Sequence, residues 1–323
     1  MAEVESPSAS PSEAAPSTRR RVLLGAIASL LGATLFWAGN YVVGAEAVAS
    51  IDPVSLVLLR WMIAFVPLVL IAQIVERPRW REVLKAWPWL IALSVFGLLG
   101  YNLLLYFSLQ HTDAFNAALI NAFNPALITL AAAVFLRQRL TAFSIAGVLT
   151  ALIGVLIVLS NGDFGQLVRT GFGLGQIFMI GAILIWTAYT ITGRLAPAIP
   201  PITSTAVQAG ISVIVLAPIS LALGGPSWPT ATGPLLSLLF IGVFPSIFSY
   251  LLWNRALTVI PASSAGVFLN LITVFTAVIT ILAGHQTSPA QLVGGIVVIA
   301  GVIITNVRDL KPATAARSET ESS

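Results

Sequence analysis

Tyr101-Asn102-Leu103-Leu104-Leu105-Tyr106-Phe107-Ser108-Leu109 opens the stretch that decides the fold, Tyr101 to Gly154. A short polar break follows, His111-Thr112-Asp113, then a long apolar run containing Asn121, Asn124 and Pro125. Next come the basic break Arg137-Gln138-Arg139 and a run holding Gly147 and Gly154. The plan recurs 147 or 148 positions on: Tyr250 falls on Asn102, Leu257 on Leu109, Ala262 on Ala114 and Thr273 on Pro125. Gly294 and Gly301 fall on Gly147 and Gly154 with the same seven-residue step, and upstream Trp37 and Trp186 lie 149 apart. Two copies of one unit make up the chain.

Around that stretch the composition is that of a membrane protein. Hydrophobic residues are 57% of the chain and charged residues 9%, against roughly 25% charged in a soluble domain. Mean hydropathy is +0.95. So little charge cannot cover a water-facing surface. The apolar runs cover Val22 to about Val43, then 54–75, 88–110, 114–136, 142–160, 171–193, 202–224, 232–254, 262–284 and 288–307, ten in all. About 20 helical residues cross the hydrocarbon core. The runs are continuous rather than alternating, which selects helices over a barrel, since each helix satisfies its own backbone in lipid. The expected fold class is therefore all-α integral membrane, with ten transmembrane helices as two five-helix repeats. Cysteine is absent, which excludes disulfides and thiolate metal sites. The pI near 9.9 reflects short basic breaks between spans and does not imply nucleic acid.

Those basic breaks set an orientation. Arg77, Arg79, Arg81, Lys85, Arg137, Arg139, Arg194 and Arg255 lie in alternate breaks, Arg19 to Arg21 before the first span, and Arg308, Lys311 and Arg317 after the last. The other set of breaks carries only Arg169. Both termini are expected on the cytoplasmic side of the cell (inner or plasma) membrane, with Glu46–Asp52 and Gly225–Thr232 outside. Five spans per half is an odd number, so the second half is inverted relative to the first, a known transporter design. The first run is longer than the roughly 7–15 apolar residues of a signal peptide. The expected organisation is a disordered tail at 1–18, a first repeat at 19–160, an outer linker at 161–169, a second repeat at 170–307 and a tail at 308–323.

Trp37-Ala38-Gly39-Asn40, Asp52-Pro53 before Leu59-Arg60-Trp61, Asn124-Pro125, and Leu140-Thr141 with Gly147 together resemble the drug/metabolite transporter superfamily, EamA type. The resemblance covers roughly 20 to 307. It implies export of small metabolites, amino acids among them, through a cavity lined mainly by spans 1, 3, 4, 6, 8 and 9. Three positions depart from the family pattern. Gln138 stands where Glu is usual after the fourth span, His285 or Gln286 at the matching place in the second copy, and Thr273 where Pro is usual.

Polar side chains inside spans are costly and face a bundle interior or a wet cavity. Asn40, Asn102, Asn121, Asn124, Asn254 and Asn270 are such residues, with Gln208 outside the six lining spans. Helix–helix hydrogen bonding is the plainer reading for any one of them. Tyr41, Tyr101, Tyr106, Tyr189 and Tyr250 lie in spans 1, 3, 6 and 8, joined by Trp37, Trp186 and Trp253. Trp80, Trp87, Trp89 and Trp228 sit at span ends or breaks, as an interfacial belt would have them. Aromatic faces with a few amides suit an amphipathic organic solute or cation, so these aromatics and asparagines are the candidate substrate-binding set.

Arg60 is the one formal charge within a span. It either snorkels to the surface, paired with Asp52, or attracts an anionic group such as a carboxylate. Pro125 is a hinge candidate, because proline frees a carbonyl and kinks a helix. The recurring glycines suit close packing of spans 5 and 10. His111 and His285 fall in outer breaks. No catalytic constellation, metal set or cofactor motif is present, so no enzyme activity and no cofactor are expected. The reading is a secondary transporter working by alternating access, a monomer whose partners are a small-molecule substrate and the lipid bilayer. A channel-like or lipid-handling membrane protein is the alternative.

Overall fold

The computed structural model describes residues 16–137, 140–163, 165, 172–260, 265 and 268–305. Residues 1–15, Gln138, Arg139, Arg169, Ala262 and everything from 306 onward, Arg308, Lys311 and Arg317 included, lie outside the described residues. Among the described residues every regular element is a helix and there is no strand.

The helices are α1 (Pro16–Ala47), α2 (Pro53–Val75), α3 (Trp87–Leu109), α4 (Ala114–Phe135) and α5 (Ala142–Leu159). They continue as α6 (Leu174–Leu195), α7 (Pro201–Ala222), α8 (Thr232–Leu257), α9 (Leu271–Leu282) and α10 (Pro289–Thr305). A short helix, Trp80–Lys85, links α2 to α3. The first eight are long and apolar enough to cross a membrane, while α9 and α10 are shorter apolar helices. The run expected over 262–284 begins in residues that lie partly outside the described set. Helix α1 already includes Pro16, Ser17 and Thr18, residues the sequence reading assigns to the tail.

Local chemistry explains the boundaries. Three polar breaks end in capping residues. Asp52 Oδ1 accepts from Ser55 N at 2.9 Å, Asp113 Oδ1 from Asn116 N at 2.7 Å, and Thr141 Oγ1 from Ser144 N at 3.1 Å. Each satisfies a first-turn amide that the helix itself leaves open. Outward faces stay apolar: Val134, Phe135, Ile214 and Leu221 are each at least 69% exposed. Water would not tolerate so much exposed hydrocarbon on a monomer, and lipid requires it.

Two helix pairs tie the halves together. Along α5 and α10 the glycines abut: a Cβ on Gly154 would meet Gly294 O at 2.7 Å, and one on Gly301 would meet Gly147 O at 2.7 Å. Rising numbers on one helix meet falling numbers on the other, so the pair is antiparallel. Helices α2 and α7 are clamped at both ends. Glu76, just past α2, accepts from Ile202 N at 2.8 Å, Thr203 N at 2.7 Å and Thr203 Oγ1 at 2.6 Å. A carboxylate there also complements the positive end of the α7 dipole. At the other end Ser227 Oγ donates to Asp52 Oδ2 at 2.6 Å, and Ser227 N donates to Ser55 Oγ at 2.9 Å.

Partial burial pushes the Asp52 carboxyl up, but the hydrogen bonds from Ser227, Ser55 and the backbone outweigh it and leave the group below its ordinary value. A depressed carboxyl contributes stability that is present above the unfolded pKa, about 3.9, and is lost as pH falls through the folded value. The melting temperature of Asp52→Asn is therefore expected below wild type at neutral pH, with the gap closing as pH drops below about 4. A gap that stays constant as pH is taken well below about 4 would show that the Asp52 charge contributes nothing.

Two helices carry wide turns. In α3 residues Ser94–Tyr101, and in α8 residues Phe244–Phe248, follow π geometry. Such turns release carbonyls from the usual ladder, and these carbonyls are used below. In α4 the chain tightens just before Pro125, where Phe123 N reaches Ile120 O and Ala126 N reaches Phe123 O, three residues back.

Candidate substrate cavity

A cavity of about 530 Å³ lies between the helices, within the size range of small-molecule sites. Its lining runs from Arg60 and Asn40 to Arg194, Pro197 and Ala198, which are exposed, so it opens at the α6–α7 break. At the opposite end the helices touch. Ser108 Oγ donates to Gly175 O at 2.7 Å, and a Cβ on Gly44 would meet the Tyr106 ring at 2.9 Å.

The aromatic residues pair across the halves. Trp37 of α1 lies edge-on to Tyr250 of α8 at 5.7 Å, and Trp186 of α6 lies against Tyr101 of α3 at 4.8 Å. Trp253 extends the first pair at 5.5 Å and Tyr189 the second at 4.9 Å. At an offset of 149, the step from Trp37 to Trp186, Tyr101 also falls on Tyr250, one position from the register that sets Tyr250 on Asn102, and one pair turns into the other. Gly97, within the α3 wide turn, makes room for Tyr189: a Cβ there would sit 2.6 Å from its ring. Trp37 is oriented by donating Nε1–H to Pro245 O at 3.1 Å, a carbonyl of the α8 wide turn.

The asparagines meet the same space. Asn121, Asn124 and Pro125 of α4 line it, as do Asn254 of α8 and Asn270 just before α9. Tyr41 and Tyr101 share a hydroxyl hydrogen bond of 2.8 Å, and Tyr101 donates to Asn121 Oδ1 at 3.4 Å. Thr187 donates to Asn124 Oδ1 at 3.2 Å. The buried amide nitrogen of Asn254 has no acceptor among the described residues.

Arg60 lines the deep end and is 3% exposed. It does not snorkel and does not meet Asp52, which is engaged at the end of α2. Its Nε donates to Ser246 Oγ at 3.0 Å; Nη1 donates to Asn102 Oδ1 and to Tyr106 OH, each at 2.7 Å, with Asn40 Oδ1 at 3.5 Å. The wide turns aim these acceptors. Asn102 Nδ2 donates to Leu98 O at 2.7 Å, which turns its oxygen to Arg60. Ser246 donates to Ile241 O at 2.7 Å, leaving a lone pair for Nε. Tyr106 donates onward to Asn40 at 2.8 Å. Trp61, fully buried, donates to Leu98 O at 3.1 Å and lies 4.9 Å from the guanidinium.

Every candidate from the sequence thus faces the cavity except Tyr106, which is fully buried behind Arg60 and holds it. Beyond the six spans expected to form most of the lining, α2 contributes Arg60 and α7 contributes Gln208, Ser204 and Thr205. Sequence reasoning also passed over Ser246 as an Arg60 partner, for a serine inside an apolar run carries no signal of its own. His111 stacks on Phe178 at 6.2 Å, and it and His285 are absent from the lining.

Helices with lipid-type outer surfaces around an inner cavity define a multi-pass membrane protein. Residues 24–160 and 173–307 each match the EamA-like transporter family, and the chain belongs to that family, carrying its unit twice. It is 27% identical over 277 residues to the uncharacterized transporter YyaM of Bacillus subtilis, covering 85% of this chain and 91% of that one. It is 26% identical over 239 residues to a probable terminal-alkyne amino-acid exporter of Streptantibioticus cattleyicolor, covering 73% and 77%. A solved crystal structure with 20% identity matches with a TM-score of 0.60, over 87% of this chain and 98% of that one, a likeness of fold. The general role is transport of a small-molecule substrate across a membrane.

Proposed function

We propose that this protein is a monomeric secondary transporter with ten membrane helices in two inverted repeats. It exports small organic metabolites such as amino acids by alternating access around the aromatic and amide cavity. The observation that carries the reading is the cross-half pairing of Trp37 with Tyr250 and Trp186 with Tyr101. A solute between these pairs touches both halves, so rocking one half on the other exposes it to alternate sides. The antiparallel α5–α10 seam, which maps onto itself when the copies are exchanged, supports the inversion. Pro125, beside the tightened turn of α4, is the proposed hinge. The relative named as an amino-acid exporter supports the substrate class. The test is counterflow in proteoliposomes with a metabolite panel: saturable exchange of one solute class is expected, and non-saturable leakage of unrelated solutes would refute the reading.

Both termini are proposed to be cytoplasmic, in the cell membrane, so that the cavity opens inward in this conformation. The basic residues at the ends of α2, α4, α6 and α8 support this orientation. A single cysteine at position 79 of the cysteine-free chain is expected to react only with reagents that enter cells, and labelling of intact cells by an impermeant reagent would reverse the assignment.

Transport is proposed to run down the substrate gradient or by exchange. Among the described residues no Asp, Glu or His lines the cavity, amides do not ionise, and arginine keeps its charge. An imposed pH gradient without a substrate gradient is expected to drive no accumulation. Accumulation abolished by a protonophore would establish proton coupling instead.

A further inference from the structure

We infer that Arg60 anchors a carboxylate on the transported solute, and that the cavity selects solutes bearing one carboxylate over organic cations. The inference rests on reading the cavity as the solute site. Arg60 is a charge taken out of water, and such a charge is stable only with a counter-charge and satisfied hydrogen bonds. Its shell supplies hydrogen bonds and no counter-charge. Asn40, Asn102, Tyr106 and Ser246 are all neutral, and among the described residues no lining residue is acidic. The ion pair found among the described residues is Lys85 with Glu82, at the surface.

The geometry also says how an anion would arrive. Nε–H and both Nη1 hydrogens are taken, while Nη2 has no hydrogen-bond partner among the described residues. Since Arg60 is part of the cavity lining, an anion approaches end-on at Nη2 rather than in the side-on fork. At the deep end one guanidinium balances one negative charge; the other lining arginine, Arg194, is exposed to solvent at the mouth. A carboxylate leaves the site neutral, whereas a phosphate dianion would leave an excess charge among amides and phenols. The opposite walls, Trp37, Tyr101, Trp186 and Tyr250, are apolar aromatic faces, suited to a hydrocarbon body. A simple aliphatic or aromatic acid meets this description in full; an α-amino acid, a net-neutral zwitterion, meets it at its carboxylate end. An organic cation without a carboxylate is repelled by Arg60.

The test uses the purified full chain and probe pairs that differ at the carboxylate. These are L-phenylalanine with its amide, L-leucine with its amide, and 3-phenylpropionate with 3-phenylpropanol. Binding is read by thermal stabilisation. Each carboxylate is expected to bind about tenfold or more tightly than its partner. Arg60→Gln should erase that preference and Arg60→Lys should keep part of it. Equal affinity within the pairs on the wild-type chain overturns the inference whether or not any variant folds. A folded Arg60→Gln protein that keeps the preference overturns it too, as does failure of every carboxylate to bind at millimolar concentration. Carboxylate-selective binding without flux in proteoliposomes would refute transport and leave the Arg60 assignment standing. Flux of amides or amines without selectivity would do the reverse.

Discussion

Gly301→Ala is expected to abolish a stably folded protein, whereas Gly25→Ala is expected to be slightly stabilising. Alanine favours helix over glycine by about 1 kcal/mol, so propensity alone predicts that both changes stabilise. Packing reverses the sign at 301. The added methyl overlaps the Ala151 nitrogen and lies 2.7 Å from Gly147 O and 2.8 Å from Ala151 Cα. All three atoms are backbone, so no side chain can swing away. Overpacking costs about 1–3 kcal/mol where neighbours can shift, and more where the backbone must. At Gly25 nothing among the described residues lies within 4 Å. Gly154→Ala should behave like Gly301→Ala, meeting Val298 N at 2.6 Å and Gly294 O at 2.7 Å. Melting and gel filtration in detergent read the outcome. A Gly301→Ala protein that melts within about 2 °C of wild type would show that the seam is looser than its geometry.

Gly175→Leu is expected to slow exchange by at least about tenfold, equivalent to about 1.4 kcal/mol, while leaving solute binding intact. Gly175 sits in the first turn of α6, at the closed end of the cavity. A Cβ there meets Thr112 Cβ at 2.8 Å and the His111 carbonyl carbon at 2.9 Å. A leucine wedges that end apart and disfavours the conformation in which it is shut. Gly175 is absent from the cavity lining, so a purely local effect should spare the bound solute. Counterflow gives the rate and thermal stabilisation gives the binding. Wild-type exchange in Gly175→Leu would mean that closure at this contact is not part of the cycle.

Much of the site was legible because an amide or a phenol inside an apolar run has few places to go. Asn121, Asn124, Asn254, Asn270 and the Trp and Tyr pairs all stand out against Leu, Val and Ala, and all face the cavity. The glycine seam was legible from its seven-residue step. What one chain could not reveal was partnership at long range. Asp52 is eight positions from Arg60 in sequence, yet the acceptor at Nε is Ser246, 186 positions away. Tyr106 looked like wall and is scaffold, because the helix face that a phenol occupies depends on how α1 and α2 pack. The Glu76–Thr203 clamp was equally hidden, since a glutamate in a basic break reads as solvated.

The wide turns that aim the Arg60 shell sit inside a nearly symmetric box, and the charge breaks that symmetry. At the repeat offset of 148, Gln208 of α7 stands where Arg60 stands in α2, and both reach the cavity. At this depth the two halves therefore face each other across one positive pole and one neutral amide. On the proposed reading, a solute with a single acidic end uses that difference as a compass: it lies one way round, head toward α2, whichever mouth is open.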